Sequence, residues 1–233
     1  TDIYGYSIPR MLGTDRDPVA IDQMLIPPES YGVRCISIGY FVPEGQAVIW
    51  RGPMLHKALE QFLTDVYWDE PDFLLIDMPP GTGDIALSLS QYLPRGEVYV
   101  VTTPQPAAQK VAALSAAMAA KVNLPVKGII ENMSWFTGDD GKRYELFGAG
   151  GGQELADDLS VPLLAQIGYV PAGFCVRANL PFVPVVVLVV GQTGPHASTP
   201  RIGEDARVAV TDLDGSAVAP LAATLLARFD DDR

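Results

Sequence analysis

The chain has 233 residues, 48% of them hydrophobic, which is enough to bury a sizeable core. A chain of this length is most simply one α/β domain. Its 28 acidic and 16 basic residues give a formal net charge of −12, which argues against sequence-independent nucleic-acid binding and against attraction to an anionic membrane surface. The longest apolar stretch, residues 183–190, contains a proline and is too short to span a bilayer.

The two cysteines, Cys35 and Cys175, lie far apart and form neither a disulfide framework nor a CxxC metal site. This cysteine usage favours a reducing, cytoplasmic setting, and we expect both thiols to be buried bystanders. They could ligate a metal cluster only if the fold or a partner brought thiolates together. The chain begins at Thr1 rather than Met, and no signal-peptide pattern follows. We therefore expect a fragment that begins inside a domain.

The predicted elements at the start of the chain are short. Residues 1–5 have the pattern of the end of a strand, with Asp2 at its carboxyl end. A short turn or helix then closes at Gly13, and residues 18–28 are predicted to be extended. Residues 33–40 alternate well enough to predict a strand.

Apolar positions from Met54 to Val66 follow helical spacing and predict an amphipathic helix that covers one face of a sheet. His56 and Lys57, in its first turns, are predicted to face solvent. Arg51 precedes this helix in a loop, and its spacing leaves open whether that loop faces phosphate or solvent.

The apolar run at residues 73–76 ends on Asp77 and is followed by two prolines. So short a run predicts a strand buried on both faces, and ligands of open α/β sheets bind beyond the carboxyl ends of such strands. We therefore expect Asp77 to point into a ligand crevice. A carboxylate in that place suits Mg²⁺, held directly or through water.

A glycine-rich loop follows the prolines. Gly81 and Gly83 flank Thr82 and allow backbone N–H groups to approach a terminal phosphate. Asp84 opens a predicted helix over residues 85–93. In the plainer interpretation, one carboxylate merely ends a strand and the other caps a helix. Two carboxylates around one glycine-rich loop favour the phosphate site.

Strands and helices alternate through the following part of the chain. The predicted strands are 97–103, 126–130 and 163–167, and the predicted helices are 107–121 and 153–159. This alternation indicates crossover connections, so the fold class is α/β with a mostly parallel sheet flanked by helices. Asn132 follows one of these strands. Its amide is able to hydrogen-bond an adenine edge, but on the residue alone a turn-forming role is an equally good interpretation.

A series of motifs in this order resembles the Mrp/ApbC-type iron–sulfur cluster carriers, which are P-loop ATPases with a deviant Walker motif, related to the MinD and ParA group. The motifs are Asp2-Ile3-Tyr4-Gly5, Ser7-Ile8-Pro9, residues 49–54, residues 77–84, Thr102-Thr103-Pro104-Gln105 and Glu131-Asn132-Met133-Ser134. The resemblance runs from Thr1 to Pro171 and implies the P-loop NTPase fold.

The resemblance also implies roles for individual residues. Asp2 matches the aspartate that orients or activates the attacking water, and Asp77 matches the Walker-B aspartate near Mg²⁺. Asp84 matches the end of the same switch loop, and Asn132 matches the adenine-reading asparagine. Further expected nucleotide-binding residues are Gly81, Thr82, Gly83 and Pro171.

By the same resemblance, the protein is expected to form a homodimer that binds ATP and Mg²⁺ between subunits and hydrolyses the ATP slowly. It would couple that cycle to handing iron–sulfur clusters to apoproteins. Neither nucleic acid nor a membrane is an expected partner. Phosphoryl transfer of this kind depends on positioning and charge neutralisation more than on covalent chemistry.

The sequence departs from the family pattern in three places. The glycine-rich P-loop that should precede Asp2 is absent from these residues, so this chain alone is expected not to bind ATP tightly. Residues 135–141, where many members carry a CxxC, contain no cysteine, so no iron–sulfur ligands are assigned. Beyond Pro171 the family usually continues with a charged, glycine-containing loop and a short strand, but this sequence loses the resemblance there. We therefore divide the chain into a P-loop ATPase core, 1–172, and a divergent or frameshifted tail, 173–233.

Two other functions stay open at this point. A MinD/ParA-like ATPase switch would call for a membrane-targeting helix or a basic DNA-binding face, and neither is found in the sequence. A non-catalytic binding module is the alternative if the P-loop is truly absent. A glycine-rich loop ending in Gly-Lys-Ser or Gly-Lys-Thr upstream would favour the ATPase.

Overall fold

The computed structural model describes residues 3, 8–14, 16–42, 52–71, 73–78, 84–168 and 186–191. The chain divides into two compact units: one comprises 1–79, 83–96 and 188–233, and the other comprises 80–82 and 97–187. Each unit is described by itself. Among the described helices, none has the length and hydropathy needed to cross a membrane.

The first unit contains small strands and three helices within its described residues. These are α1 (Ile8–Leu12), β1 (Val19–Ile21), β2 (Met24–Ile26), β3 (Glu29–Ser30), β4 (Val33–Arg34), a 3₁₀ helix (Ile38–Phe41), α2 (Gly52–Thr64), β5 (Phe73–Met78) and α3 (Asp84–Tyr92). The segment predicted to be extended forms the antiparallel hairpin β1–β2, which turns through Asp22 at a φ of 54°. The helix predicted to close at Gly13 is confirmed, and Gly13 has a φ of 67°.

The strand predicted over residues 33–40 is wrong beyond Arg34. The chain turns there instead into the 3₁₀ helix, because the buried Ser37 side chain accepts a hydrogen bond from the Gly39 N–H at 3.0 Å. A serine that offers its side chain to a nearby backbone group competes with strand pairing. Cys35, 2% exposed, packs against Ile8 and Leu12 and is a small buried hydrophobe, as predicted. Cys175 lies outside the described residues.

Helix α2 is amphipathic, as predicted, and buries Leu55, Leu59 and Phe62 on one face. Strand β5 alternates: Leu74, Ile76 and Met78 are buried, while the side chains between them are partly exposed. The expectation that this strand is buried on both faces is therefore wrong for one face. The period-two alternation is that of a strand with one tightly packed side.

The second unit is a parallel sheet with helices. Its elements are β6 (Glu97–Thr102), α4 (Pro106–Lys121), β7 (Val126–Glu131), β8 (Phe136–Thr137), β9 (Arg143–Tyr144), α5 (Gly151–Leu159) and β10 (Leu163–Gln166). Strand β7 lies between β6 and β10, and both pairings are parallel. The predicted α/β class with a parallel sheet is confirmed. A last strand, β11 (Val186–Gly191), includes residues of both units.

Branched and small side chains build the core of the second unit. Val98, Val100, Ile129 and Ile130 are all 0% exposed, as expected for β-branched residues in a central sheet. Helix α4 buries alanines at every fourth position, namely Ala108, Ala112 and Ala116. Small buried side chains of this kind allow α4 to pack closely on β6. The predicted boundary at residue 172 falls outside the described residues.

Candidate functional site

The parallel strands β6, β7 and β10 of the second unit end level with one another. Thr102 of β6 and Gln166 of β10 both pair in register with Glu131 of β7. Because the strands are parallel, their carboxyl ends lie along one edge. In open α/β sheets this edge is the place where ligands bind.

Glu131 is a fully buried carboxylate at this edge, with 0% exposure. Its Oε2 accepts a hydrogen bond from the Gly152 N–H at 2.5 Å, and its Oε1 accepts one from the Gln166 side-chain amide at 2.8 Å. Burial of an unpaired carboxylate is strongly unfavourable, so these two donors are what allow Glu131 to lie inside the unit. Sequence reasoning placed Glu131 only within a motif. The available signal was an acidic residue ending an apolar strand, with a glycine run before the next helix.

The glycine run lets helix α5 begin in close contact with the strand ends. Gly150 caps the helix at a φ of 77°, in the left-handed region. A Cβ atom at Gly152 would lie 2.6 Å from the Cβ atom of Glu131. A Cβ atom at Gly151 would overlap the Pro104 carbonyl oxygen and the Gln109 side chain. Only glycines therefore allow this helix end to approach both segments.

Asn132 continues from Glu131 and is tied to the neighbouring strand. Its N–H donates to the Thr102 carbonyl at 2.7 Å, and its Oδ1 accepts from the Met133 N–H at 2.8 Å. Met133 has a φ of 57°, an uncommon value for a residue with a side chain. Asn132 therefore forms the turn that one of the two interpretations predicts. Because an amide oxygen has two lone pairs, this turn is compatible with the adenine-reading role, which stays a prediction.

The turn after β7 is also tied to the segment that follows β10. The Ile167 N–H donates to the Glu131 carbonyl at 2.8 Å, and the Ser134 N–H donates to the Ile167 carbonyl at 2.9 Å. The Ser134 hydroxyl donates to the same Glu131 carbonyl at 2.9 Å. The turn that carries Asn132 is therefore held from both sides.

The carboxylates predicted for Mg²⁺ belong to the first unit. Asp77 is the penultimate residue of β5, its side chain is partly exposed, and it has an interaction partner. Asp84 is the first residue of α3, as expected for a residue that opens the helix. The Asp84 side chain lies outside the described residues, as do all of Asp2, Gly81, Thr82, Gly83 and Pro171.

His56 was predicted to face solvent, and that prediction is wrong. Its Nδ1 is hydrogen-bonded to the Ser88 hydroxyl and its Nε2 to the Tyr92 hydroxyl, both at 2.8 Å. The two hydroxyls lie one turn apart on α3, so the imidazole joins α2 to α3. Helical spacing in α2 alone does not reveal these partners, which are 32 and 36 residues away. The neighbouring Lys57 is exposed, as predicted.

The segment without a CxxC forms the antiparallel hairpin β8–β9. The Arg143 guanidinium lies 4.1 Å from the centre of the Trp135 ring, in a cation–π contact. Asp140, in the turn, accepts hydrogen bonds from the Lys142 N–H at 3.0 Å and from the Tyr144 hydroxyl at 2.9 Å. These hydrogen bonds lower the pKa of Asp140 below its usual 3.8, and the bond from the Lys142 N–H has the largest effect. Among the residues that the structure describes, no group of three or more potential ligands is arranged to hold a metal ion.

Comparison with known proteins gives a consistent result. The family profile described as "ParA: NUBPL iron-transfer P-loop NTPase" matches residues 1–175. Two similar relatives, both named "Iron-sulfur cluster carrier protein", come from Mycobacterium leprae and Bacillus subtilis. The first is 48% identical over 192 residues, covering 80% of this chain and 50% of the relative. The second is 46% identical over 167 residues, covering 71% and 47%.

A solved structure is also similar to this chain. It is titled as the nucleotide-binding protein from Archaeoglobus fulgidus in complex with ADP, with Co, and it superposes with a TM-score of 0.56 at 30% identity. The match covers 72% of this chain and 66% of that one. The chain spans about half the length of the curated relatives it matches.

Proposed function

Because the chain belongs to the ParA/NUBPL family of iron-transfer P-loop NTPases, we propose that it acts in an ATP-hydrolysing iron–sulfur cluster carrier. The observation that carries the proposal is the level edge of β6, β7 and β10, where Asn132 is fixed by its hydrogen bond to Thr102. A preorganised amide at the carboxyl edge of a parallel sheet is suited to reading a nucleotide base.

The proposed nucleotide site assigns separate tasks to the predicted residues. Asn132 reads the adenine edge, since its amide has both a donor and an acceptor. Asp77 holds Mg²⁺ at the end of β5, and its partial exposure fits a hard cation that retains several waters. Asp2 orients the attacking water, and Asp84 belongs to the loop that responds to the terminal phosphate.

The remaining nucleotide contacts are proposed for the backbone and for a P-loop. Gly81, Thr82 and Gly83 place N–H groups near the terminal phosphate, and Pro171 borders the base. Bound Mg²⁺ would neutralise phosphate charge, while the chain's own residues position the base and the water. The motif that would supply a phosphate-binding lysine is not among these residues. We propose residues 1–172 as the ATPase core and 173–233 as a divergent tail.

The cargo assignment is supported by the relatives named as iron–sulfur cluster carriers. We propose a homodimer that delivers clusters to apoproteins in the cytoplasm. The hairpin β8–β9 has no cysteine, and Cys35 is 2% exposed among apolar neighbours. Neither therefore offers an accessible thiolate, so we assign no cluster ligand within the described residues.

Nucleotide binding tests the proposal directly. The protein expressed from the complete reading frame that contains this chain is titrated with ATP and with GTP, both with Mg²⁺, and the Asn132→Ala variant is titrated in parallel. We expect ATP to be preferred and the variant to lose about tenfold in ATP affinity, the equivalent of about one base-edge hydrogen bond. Equal binding of ATP by both proteins would contradict the base-reading assignment.

A further inference from the structure

The glycine run at the start of α5, residues 150–152, has the composition of a phosphate-binding loop, but the anion that it binds is a side chain of the same unit. The Gly152 N–H, in the first turn of the helix, donates to the carboxylate of Glu131. A helix N-terminus favours negative charge, and here a side chain of the same unit supplies it. We infer that Glu131 is a positioning residue, which locks the N-terminus of α5 against the strand ends and so fixes Asn132 for base reading.

The first step of this argument is the burial of Glu131. The residue is 0% exposed, and both of its carboxylate oxygens have a donor, Gly152 on one side and Gln166 on the other. Glu131 therefore occupies the Gly152 N–H from inside the unit, and its carboxylate is not exposed to a ligand from solvent. The carboxylate joins three elements, namely the end of β7, the start of α5 and the end of β10.

The second step is that α5 also reaches the turn after β6. Gly151 lies so close to Pro104 and Gln109 that a Cβ atom would overlap both. The Gln109 amide donates to the Pro104 carbonyl at 2.9 Å, which holds that turn in place. One helix end therefore fixes the segments that follow two neighbouring strands.

The third step connects this lock to Asn132. Asn132 is the next residue after Glu131, and its N–H donates to the carbonyl of Thr102 at the end of β6. Displacement of Glu131 would move the backbone of Asn132 together with it. A shift of a few tenths of an ångström in the position of the Asn132 amide would weaken its hydrogen bond to a base, because such a bond depends on direction as well as distance.

The inference rests on the proposed function, because it assigns Asn132 to the base. The experiment uses the complete protein and measures the dissociation constants of ATP and GTP for wild type, Glu131→Ala, Glu131→Gln and Gln166→Ala. We expect Glu131→Ala to weaken ATP binding about tenfold and to reduce the preference for ATP over GTP to near one. Glu131→Gln keeps an acceptor for Gly152 and should restore most of that preference.

Gln166→Ala keeps the test informative if Glu131→Ala does not fold, because Gln166 is exposed and its removal leaves no cavity. The substitution removes one hydrogen-bond donor to Glu131 and should weaken ATP binding about threefold, which corresponds to part of the free energy of one hydrogen bond. Leu155→Ala is the matched control: this buried residue of α5 should lower stability without changing base preference.

The outcomes separate the two claims. If Asn132→Ala abolishes the preference for ATP while the Glu131 and Gln166 variants retain it and only melt earlier, Glu131 is structural and the inference is overturned. If Asn132→Ala itself retains the preference, base reading at Asn132 is wrong and the inference falls with it. Loss of preference in the Asn132, Glu131 and Gln166 variants, with Leu155→Ala unchanged, supports the inference.

Discussion

The carboxylate of Glu131 accepts a hydrogen bond from the backbone N–H of Gly152, which lies 21 residues further along the chain. The contact joins the end of β7 to the start of α5 in the second unit. It exists because Gly152 has no Cβ atom, since one would lie 2.6 Å from the Cβ atom of Glu131. A buried acid and a glycine thus depend on each other, and both lie beside the proposed base-reading residue.

The first prediction concerns this glycine. Gly152→Ala forces α5 away from Glu131 and should lower the free energy of unfolding by about 2–3 kcal/mol, as for an overpacked core. Gly150→Ala is the matched control, because Gly150 has a φ of 77° but open space where a Cβ atom would lie. Its strain should lower stability by only about 1 kcal/mol. Urea unfolding of both variants measures the difference, and equal effects would show that the close contact is unimportant.

The second prediction concerns the imidazole between α2 and α3. His56→Ala removes hydrogen bonds to Ser88 and Tyr92 and should lower the free energy of unfolding by about 1–3 kcal/mol, with each bond contributing about 1 kcal/mol. Lys57→Ala changes the adjacent exposed residue and should stay within about 0.5 kcal/mol of wild type. If both variants unfold alike, the imidazole is a bystander.

The third prediction concerns Asp77. In the complete protein, Asp77→Asn should reduce Mg²⁺-dependent ATP hydrolysis by about 10²-fold or more, because the carboxylate proposed to hold Mg²⁺ at the phosphates is lost. Binding of ATP without Mg²⁺ should change little. Asp158→Asn, an exposed residue of α5, is the control for the loss of one negative charge. Hydrolysis that is retained in Asp77→Asn would remove Asp77 from the proposed site.

The fourth prediction concerns the hairpin turn at Asp140. Its pKa is lowered by hydrogen bonds from the Lys142 N–H and the Tyr144 hydroxyl, so the ionised carboxylate stabilises the turn at pH values above 3.8. This contribution should be lost as the pH falls through the lower pKa of the folded hairpin. NMR titration of the Asp140 carboxyl and the Lys142 N–H measures it. A carboxyl that titrates at or above 3.8 would contradict the observed contacts.

Much of the fold was predictable from local pattern. The alternation of apolar strands with helices was sufficient to place β5, β6, β7 and the helix α4, because hydrophobic period and helix propensity act over short distances. The strand predicted beyond Arg34 was wrong, because the Ser37 side chain captured the backbone of Gly39. Hydrophobic alternation alone does not predict a local hydrogen bond of this kind.

The candidate site was predictable only in part. Asn132 and Asp77 were found as polar residues at strand ends, and the structure describes both at such ends. Glu131 and His56 were missed because their partners are distant in sequence and are selected by packing. The contacts of a buried acid depend on which helix begins beside it, and spacing along one element does not encode that.

The most direct test of the proposed carrier function is anaerobic reconstitution of the protein from its complete reading frame. Iron and sulfide are added, and absorbance, iron per protein chain and transfer to an apoprotein are measured with and without ATP. We predict a cluster at a fixed ratio per protein chain, and transfer to the apoprotein that requires an intact Asp77. Full ATP hydrolysis with no bound cluster would contradict the carrier function and leave a nucleotide switch with a different cargo.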